Sequence, residues 1–91
     1  MEEQIDVLLV TYNGEKYIKE QIESILNQTY KNIKLIISDD CSKDRTVEIL
    51  KQYEEKDNRI KLYTQQQNLG LVKNIEFLLN KVENELYMLA D

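Results

Sequence analysis

The residues best able to do chemistry in this sequence are carboxylates set at the ends of apolar runs. Asp39-Asp40-Cys41-Ser42-Lys43-Asp44 follows directly on the run that starts at Ile33. Adjacent carboxylates repel each other. A pair of them at such an end suits acceptor work: taking hydrogen bonds from the N–H edge of a nucleobase and from ribose hydroxyls. Asp44 has a simpler reading, as the cap of the helix that follows. Thr11-Tyr12-Asn13-Gly14 ends an earlier run, Ile5–Val10. Tyr12 could stack on a base there while free backbone groups grip its edge; a plain Asn-Gly turn from strand to helix accounts for the same residues equally well. Asn68-Leu69-Gly70 precedes Lys73-Asn74. Lys73 could meet a phosphate as a point charge, although a lone lysine on a helix is usually solvated surface. Gly14 and Gly70 stand isolated, so there is no glycine-rich phosphate loop. Diphosphate binding would then need a metal, and Asp91 is the candidate ligand.

Composition narrows the chemistry further. The sequence holds no histidine and one cysteine, Cys41. That excludes an internal disulfide, a histidine base and a histidine metal ligand. Any metal must be held by oxygen, which points to magnesium, manganese or calcium. Cys41 follows two carboxylates, surroundings that oppose a thiolate, and reads as a small turn residue. Twelve Lys and Arg against 17 Asp and Glu leave a net charge of −5, with no basic face for nucleic acid or anionic lipid. With 42% hydrophobic and 32% charged residues in 91, the chain has the balance of one small globular domain and not of a disordered segment. The N-terminus is acidic where a signal peptide is basic. No apolar run approaches the roughly 20 residues that span a bilayer. A cytoplasmic location is the default expectation.

These candidate residues need elements to hold them. Ile5–Val10 is nearly continuous in apolar residues, the mark of a strand buried on both faces. Ile18, Ile22, Ile25 and Leu26 then recur on one face of a helix running from about Glu15 to Asn27. Ile33–Ser38 is a second strand, and Val47, Leu50 and Tyr53 form the inward face of a second helix. Arg59–Thr64 alternates, as a strand near a sheet edge does. Val72, Ile75, Leu79 and Val82 give a third helix face, and Leu86–Ala90 a fourth strand. The six tyrosines and Phe77 fall mostly at core spacing, with only Tyr12 at a strand end. The order is β-α-β-α-β-α-β, so the class is α/β: a Rossmann-like parallel sheet with helices on both faces. Ligands of such sheets bind outside the carboxyl ends of the strands, where every candidate above sits. The fourth strand stops at Asp91 without a linker, so the chain is expected to be the first part of a longer protein.

Taken in order, the stretches Ile5–Asn13, Ile22–Tyr30, Leu35–Thr46, Asn68-Leu69-Gly70, Lys73-Asn74 and Leu86–Asp91 resemble the N-terminal, nucleotide-binding half of inverting family 2 glycosyltransferases of the GT-A fold, in their rhamnosyltransferase-like branch. The resemblance spans essentially the whole chain. It implies that residues 1–91 are the nucleotide-sugar-binding part of a glycosyltransferase domain that builds a glycan such as a bacterial polysaccharide. Val10, Thr11, Tyr12 and Asn13 would line the base pocket, with Tyr12 against a uracil or thymine ring. Asp39 and Asp40 would contact the base edge and ribose, and Lys73 would lie near the base or phosphate. Asp91 would be the first acid of an Asp-x-Asp motif holding Mn2+ or Mg2+ on the diphosphate. The general base and the pocket for the glycan or lipid-linked acceptor would belong to the C-terminal half, leaving no catalytic residue in this chain. In the full-length protein, work at the inner face of a membrane is implied.

Three departures from the family pattern carry expectations. Val10 stands where proline is common, which a backbone contact would survive. Cys41 stands where glycine is common, so the turn there is expected to avoid positive φ. The chain stops at the first metal acid, so these residues alone are expected to bind nucleotide weakly, to catalyse nothing, and to pair as homodimers through an uncovered sheet edge. Two other classes compete. One is a non-catalytic nucleotide-binding or interaction module. The other is a receiver-type signalling domain, whose acid pair follows the first strand, whereas here it follows the second.

Overall fold

The computed structural model describes residues 3–90. Seven elements alternate: β1 (Ile5–Thr11), α1 (Ile18–Leu26), β2 (Ile33–Asp39), α2 (Thr46–Lys56), β3 (Ile60–Thr64), α3 (Leu71–Leu79) and β4 (Leu86–Leu89). The strands form one parallel sheet in the order β3-β2-β1-β4. This is the Rossmann-like α/β sheet expected from the sequence. The alternating Arg59–Thr64 run is an edge strand, β3, as its pattern implies.

Period-2 geometry divides the central strands between two cores. Val7 and Leu9 of β1 and Leu35 and Ile37 of β2 point to one face, where Ile18, Ile22 and Ile25 of α1 and Leu50 of α2 cover them. Leu8 and Ile36 point to the other face and meet Leu78 of α3. Two helices on one face and one on the other place a switch in connection direction between β1 and β4. Crevices at such switches are where α/β sheets bind ligands.

Helix α1 is shorter than the expected span from about Glu15 to Asn27, and the starts of α1 and α2 each have a local cause. Helix α1 begins at Ile18 and not near Glu15 because the N–H groups of Tyr17 and Ile18 turn back onto the Gly14 carbonyl at 3.0 and 2.8 Å. Helix α2 begins at Thr46, whose N–H donates to Asp44 Oδ1 at 3.0 Å, so Asp44 caps from one residue before the cap position at Arg45.

Helix α3 departs most from the sequence reading. Its buried residues are Asn74 and Leu78, while Val72 is 70% and Leu79 41% exposed, and Val82 lies past the helix end. The helix is rotated because Asn74 finds partners inside. Ser38 Oγ donates to its Oδ1 at 2.6 Å, and its Nδ2 donates to the Gly70 carbonyl at 2.7 Å. A satisfied polar group can occupy the core position that an apolar count assigns elsewhere. Tyr30, Tyr53, Tyr63 and Phe77 pack against the two cores, and two tyrosines besides Tyr12 do not. Tyr17 is 55% and Tyr87 52% exposed, the first lying over Gly14 and the second on edge strand β4.

Candidate functional site

Parallel register sets the site. Thr11 lies opposite Asp39 at the last step of the β1–β2 ladder, and Asp39 lies opposite Thr64 across β3. Thr11 and Asp39 share a face, and Thr11 Oγ1 donates to Asp39 Oδ1 at 2.7 Å. Asp39 is fully buried. It also receives the Ser42 hydroxyl on Oδ1 at 2.7 Å and the Ser42 N–H on Oδ2 at 2.8 Å.

Asp40 points the other way. Its N–H donates to the Thr11 carbonyl at 2.8 Å. Its carboxylate receives the backbone N–H of Leu69 on Oδ1 at 2.6 Å and of Gly70 on Oδ2 at 3.2 Å. Asn68 Nδ2 donates to the Asp40 carbonyl at 2.6 Å. Burial of the Asp40 carboxyl opposes its charge, but the N–H of Leu69, the Asn74 amide, the N–H of Gly70 and the Asn68 amide outweigh that and hold it below the ordinary carboxylate range. The two acids therefore avoid mutual repulsion by facing different donors. One ties β2 to the end of β1; the other ties it to the β3–α3 loop.

The residue after the pair turns the chain sharply between Asp40 and Ser42. Cys41 has φ 60°, in the left-handed region. The expected avoidance of positive φ does not hold: the chain keeps a glycine-type turn and places a cysteine in it. That conformation costs an L-residue roughly 1–2 kcal/mol. It persists because flanking Asp40 and Ser42 are both anchored.

Asn13, at φ 47°, is the second left-handed residue, a conformation asparagine tolerates better than most. Its N–H donates to Ser42 Oγ at 2.8 Å, and its Oδ1 accepts the Lys43 N–H at 2.8 Å. Gly14 N–H donates to Thr46 Oγ1 at 2.8 Å, and Glu15 N–H to Asp44 Oδ2 at 3.2 Å. The loops after β1 and β2 are thus stitched residue by residue. Tyr12, directly before this seam, is 48% exposed. It lines a cleft of about 230 Å³ with Val10, Thr11, Gly14, Tyr17, Ile18 and Gln21.

Of the residues singled out in the sequence, Val10, Thr11, Tyr12, Asn13, Asp39 and Asp40 come together at the carboxyl ends of β1 and β2. Lys73 is exposed on the first turn of α3, which follows the loop that Asp40 holds. Asp91 lies outside the described residues. Among the described residues no group of three or more acidic, cysteine or histidine side chains could hold a metal ion. The acids nearest the site, Asp39 and Asp40, are turned to donors of the chain itself. Residues 3–90 by themselves therefore do not make a metal site. Ser42, Thr46 and Asn74 carry much of the loop geometry without having been singled out as site residues. Their signal in the sequence is polarity at positions next to glycine, acid or a helix start, which is also how ordinary turns look. No helix among the described residues is long and apolar enough to cross a membrane.

Residues 6–91 match the model of the family described as Glycosyl transferase family 2. The chain is 39% identical over 66 residues to the putative teichuronic acid biosynthesis glycosyltransferase TuaG of Bacillus subtilis, covering 72% of this chain and 26% of that protein. Among solved structures, S. aureus TarS 1-349 in complex with UDP-GlcNAc superposes with a TM-score of 0.81 at 32% identity, over 97% of this chain and 26% of that one. The mannosyltransferase PcManGT of Pyrobaculum calidifontis, in complex with GDP-Man and Mn2+, shares the fold with a TM-score of 0.86 at 21% identity, over 28% of its own length. The chain thus spans about a quarter of the length of these relatives. Its parallel sheet and flanking helices correspond to the N-terminal part of a GT-A glycosyltransferase domain. By both sequence and fold, the chain belongs to glycosyl transferase family 2.

Proposed function

We propose that residues 1–91 are the donor-nucleotide part of a glycosyltransferase domain that uses a UDP- or dTDP-sugar. One observation carries this reading: the Asp39-Asp40 turn joins the loops after β1 and β3 at the carboxyl edge of the sheet, with Tyr12 exposed beside it. Tyr12 offers a ring face for the pyrimidine. Val10, Thr11 and Asn13 supply the backbone around it. Asp39 and Asp40 set the edge that meets base and ribose, and Lys73 supplies positive charge toward phosphate. The UDP-GlcNAc bound by TarS supports a uridine donor, and the Mn2+ in PcManGT supports a divalent metal, Mn2+ or Mg2+, here assigned to Asp91.

The full reading is transfer of a hexose with inversion to a glycan or lipid-linked acceptor in bacterial polysaccharide synthesis, in the cytoplasm at the inner face of a membrane. The kinship with TuaG supports the polysaccharide part. The rhamnosyltransferase-like branch rests on Leu86–Asp91 alone. The 91 residues contain no general base for the acceptor and are inactive alone. Two copies associate through the apolar surface of α3 and β4.

The test is a titration of the chain with UDP and dTDP, with and without Mn2+, followed by amide NMR. Shifts gathered at Val10–Asn13, Asp39–Asp40 and Lys73 are expected. Absence of any shift at millimolar nucleotide, in this chain and again in the full-length protein, defeats the donor reading, and sugar transfer by this chain alone defeats its inactivity.

A further inference from the structure

We propose that Ser42 is a positioning residue of the nucleotide edge, and that Asp39 acts through it without touching the ligand. The inference rests on the donor reading above and adds to it a residue that reading does not use. Asp39 is fully buried, and its carboxylate is engaged by Thr11 and by both the N–H and the hydroxyl of Ser42. A carboxylate so enclosed has no surface to offer a nucleotide. What it does instead is orient a hydroxyl. The Ser42 hydroxyl donates its one proton to Asp39 Oδ1 at 2.7 Å, so its lone pairs face outward and accept the Asn13 N–H at 2.8 Å.

Asn13 stands in the left-handed region, and its Oδ1 in turn accepts the Lys43 N–H at 2.8 Å. The chain therefore runs from a buried charge, through one hydroxyl, to the backbone directly after Tyr12. Tyr12 itself is half exposed and belongs to neither core cluster. Its orientation depends on the backbone behind it, and that backbone is held from Ser42. The left-handed turn at Cys41 lets the same short segment send Asp40 toward Leu69 and Gly70 and Ser42 toward Asn13.

The test uses the 91-residue chain and three variants: Ser42→Ala, Ser42→Thr and Tyr12→Ala. Ser42→Ala should weaken UDP roughly tenfold, the scale of one hydrogen bond lost from the frame of a site. The Asn13 amide should exchange faster with solvent, with nucleotide absent as well as present. Ser42→Thr keeps the hydroxyl and should restore both. Tyr12→Ala should weaken UDP while leaving Asn13 exchange unchanged, which separates aiming from contact. An unchanged UDP affinity or an unchanged Asn13 amide in Ser42→Ala overturns the proposal while the donor reading stands. If Ser42→Ala does not fold, loss of UDP binding in folded Ser42→Thr overturns it. If neither the parent chain nor the full-length protein binds UDP or dTDP, the donor reading falls and Ser42 has no site to position.

Discussion

At the scale of single residues, the turn 39–42 concentrates both the strain and the charge of the site. Cys41 holds a left-handed φ of 60° with a side chain that gains little from it. Cys41→Gly should therefore stabilise the chain by about 1 kcal/mol, strain relief less the entropy that glycine adds to the unfolded state; urea unfolding measures it, and a lower midpoint would refute the strain. Asp40 makes a pH prediction with a definite sign. Its carboxyl is held below the ordinary range in the folded chain. Its stabilisation is thus complete above the unfolded value of about 3.9 and is lost as pH falls through the lower folded value. Asp40→Asn should be less stable than the parent at pH 6, and the gap should close as both are titrated toward pH 2. A gap that stays constant with pH would mean the charge is irrelevant there. This turn also marks what sequence reading could reach. The acid pair stood out as a candidate site feature because two carboxylates rarely end a buried strand without purpose. That the two would face opposite loops was not, because the partners lie about 28 to 30 residues away along the chain and only the fold brings them near.

Elements raise a different question: what keeps β4 in register when its side chains are all exposed. The answer is Asp6, buried on β1. Its Oδ2 accepts the N–H groups of Glu83 and Asn84, both at 2.9 Å, and its Oδ1 the Asn84 amide at 3.0 Å. This bracket fixes the turn from α3 into β4 and so the pairing of Ile5 with Leu86. The Lys34–Glu83 ion pair sits over the same turn. Asp6→Ala should cost about 1–3 kcal/mol, the penalty for orphaned donors, and should raise hydrogen exchange selectively at the β4 amides. Uniform loss of protection across all four strands would show that Asp6 serves the core and not the register. Asn74 does comparable work on α3. Replacing it with leucine would obey the apolar pattern yet leave the buried Ser38 hydroxyl without its acceptor and remove one of two donors to the Gly70 carbonyl, so Asn74→Leu should destabilise despite its greater hydrophobicity, as thermal unfolding would report. The apolar count misplaced this helix face for that reason.

The whole molecule is lopsided. One face of the sheet is closed by α1 and α2 around a ten-residue core cluster, while the α3 face closes on Leu8, Ile36 and Leu78. Leu71, Val72, Leu86, Tyr87, Met88 and Leu89 remain between 48% and 70% exposed. Beside them Leu8, Val10, Ile75, Leu71 and Ala90 line a cleft of about 340 Å³ together with Leu89. An apolar surface joined to an open strand edge favours association. Light-scattering mass should rise toward that of a dimer with concentration, and Met88→Lys on the edge strand should return it to monomer. A parent chain that stays monomeric at high concentration would refute pairing through this face.

The sequence by itself determined the order of elements, the parallel α/β class, the edge position of β3 and the end of the sheet where chemistry belongs. Those follow from hydrophobic period and from the positions of polar breaks, which act over a few residues. It also carried the family, since motif order and spacing are written along the chain. Only the tertiary structure decided that Asp39 is enclosed, that the Ser42 hydroxyl bridges Asp39 and the Asn13 N–H, that Cys41 adopts a glycine-type turn, and that Asn74 takes a core position. Each depends on donors and acceptors that meet across strands, and a buried polar group is placed by its partners rather than by its own pattern.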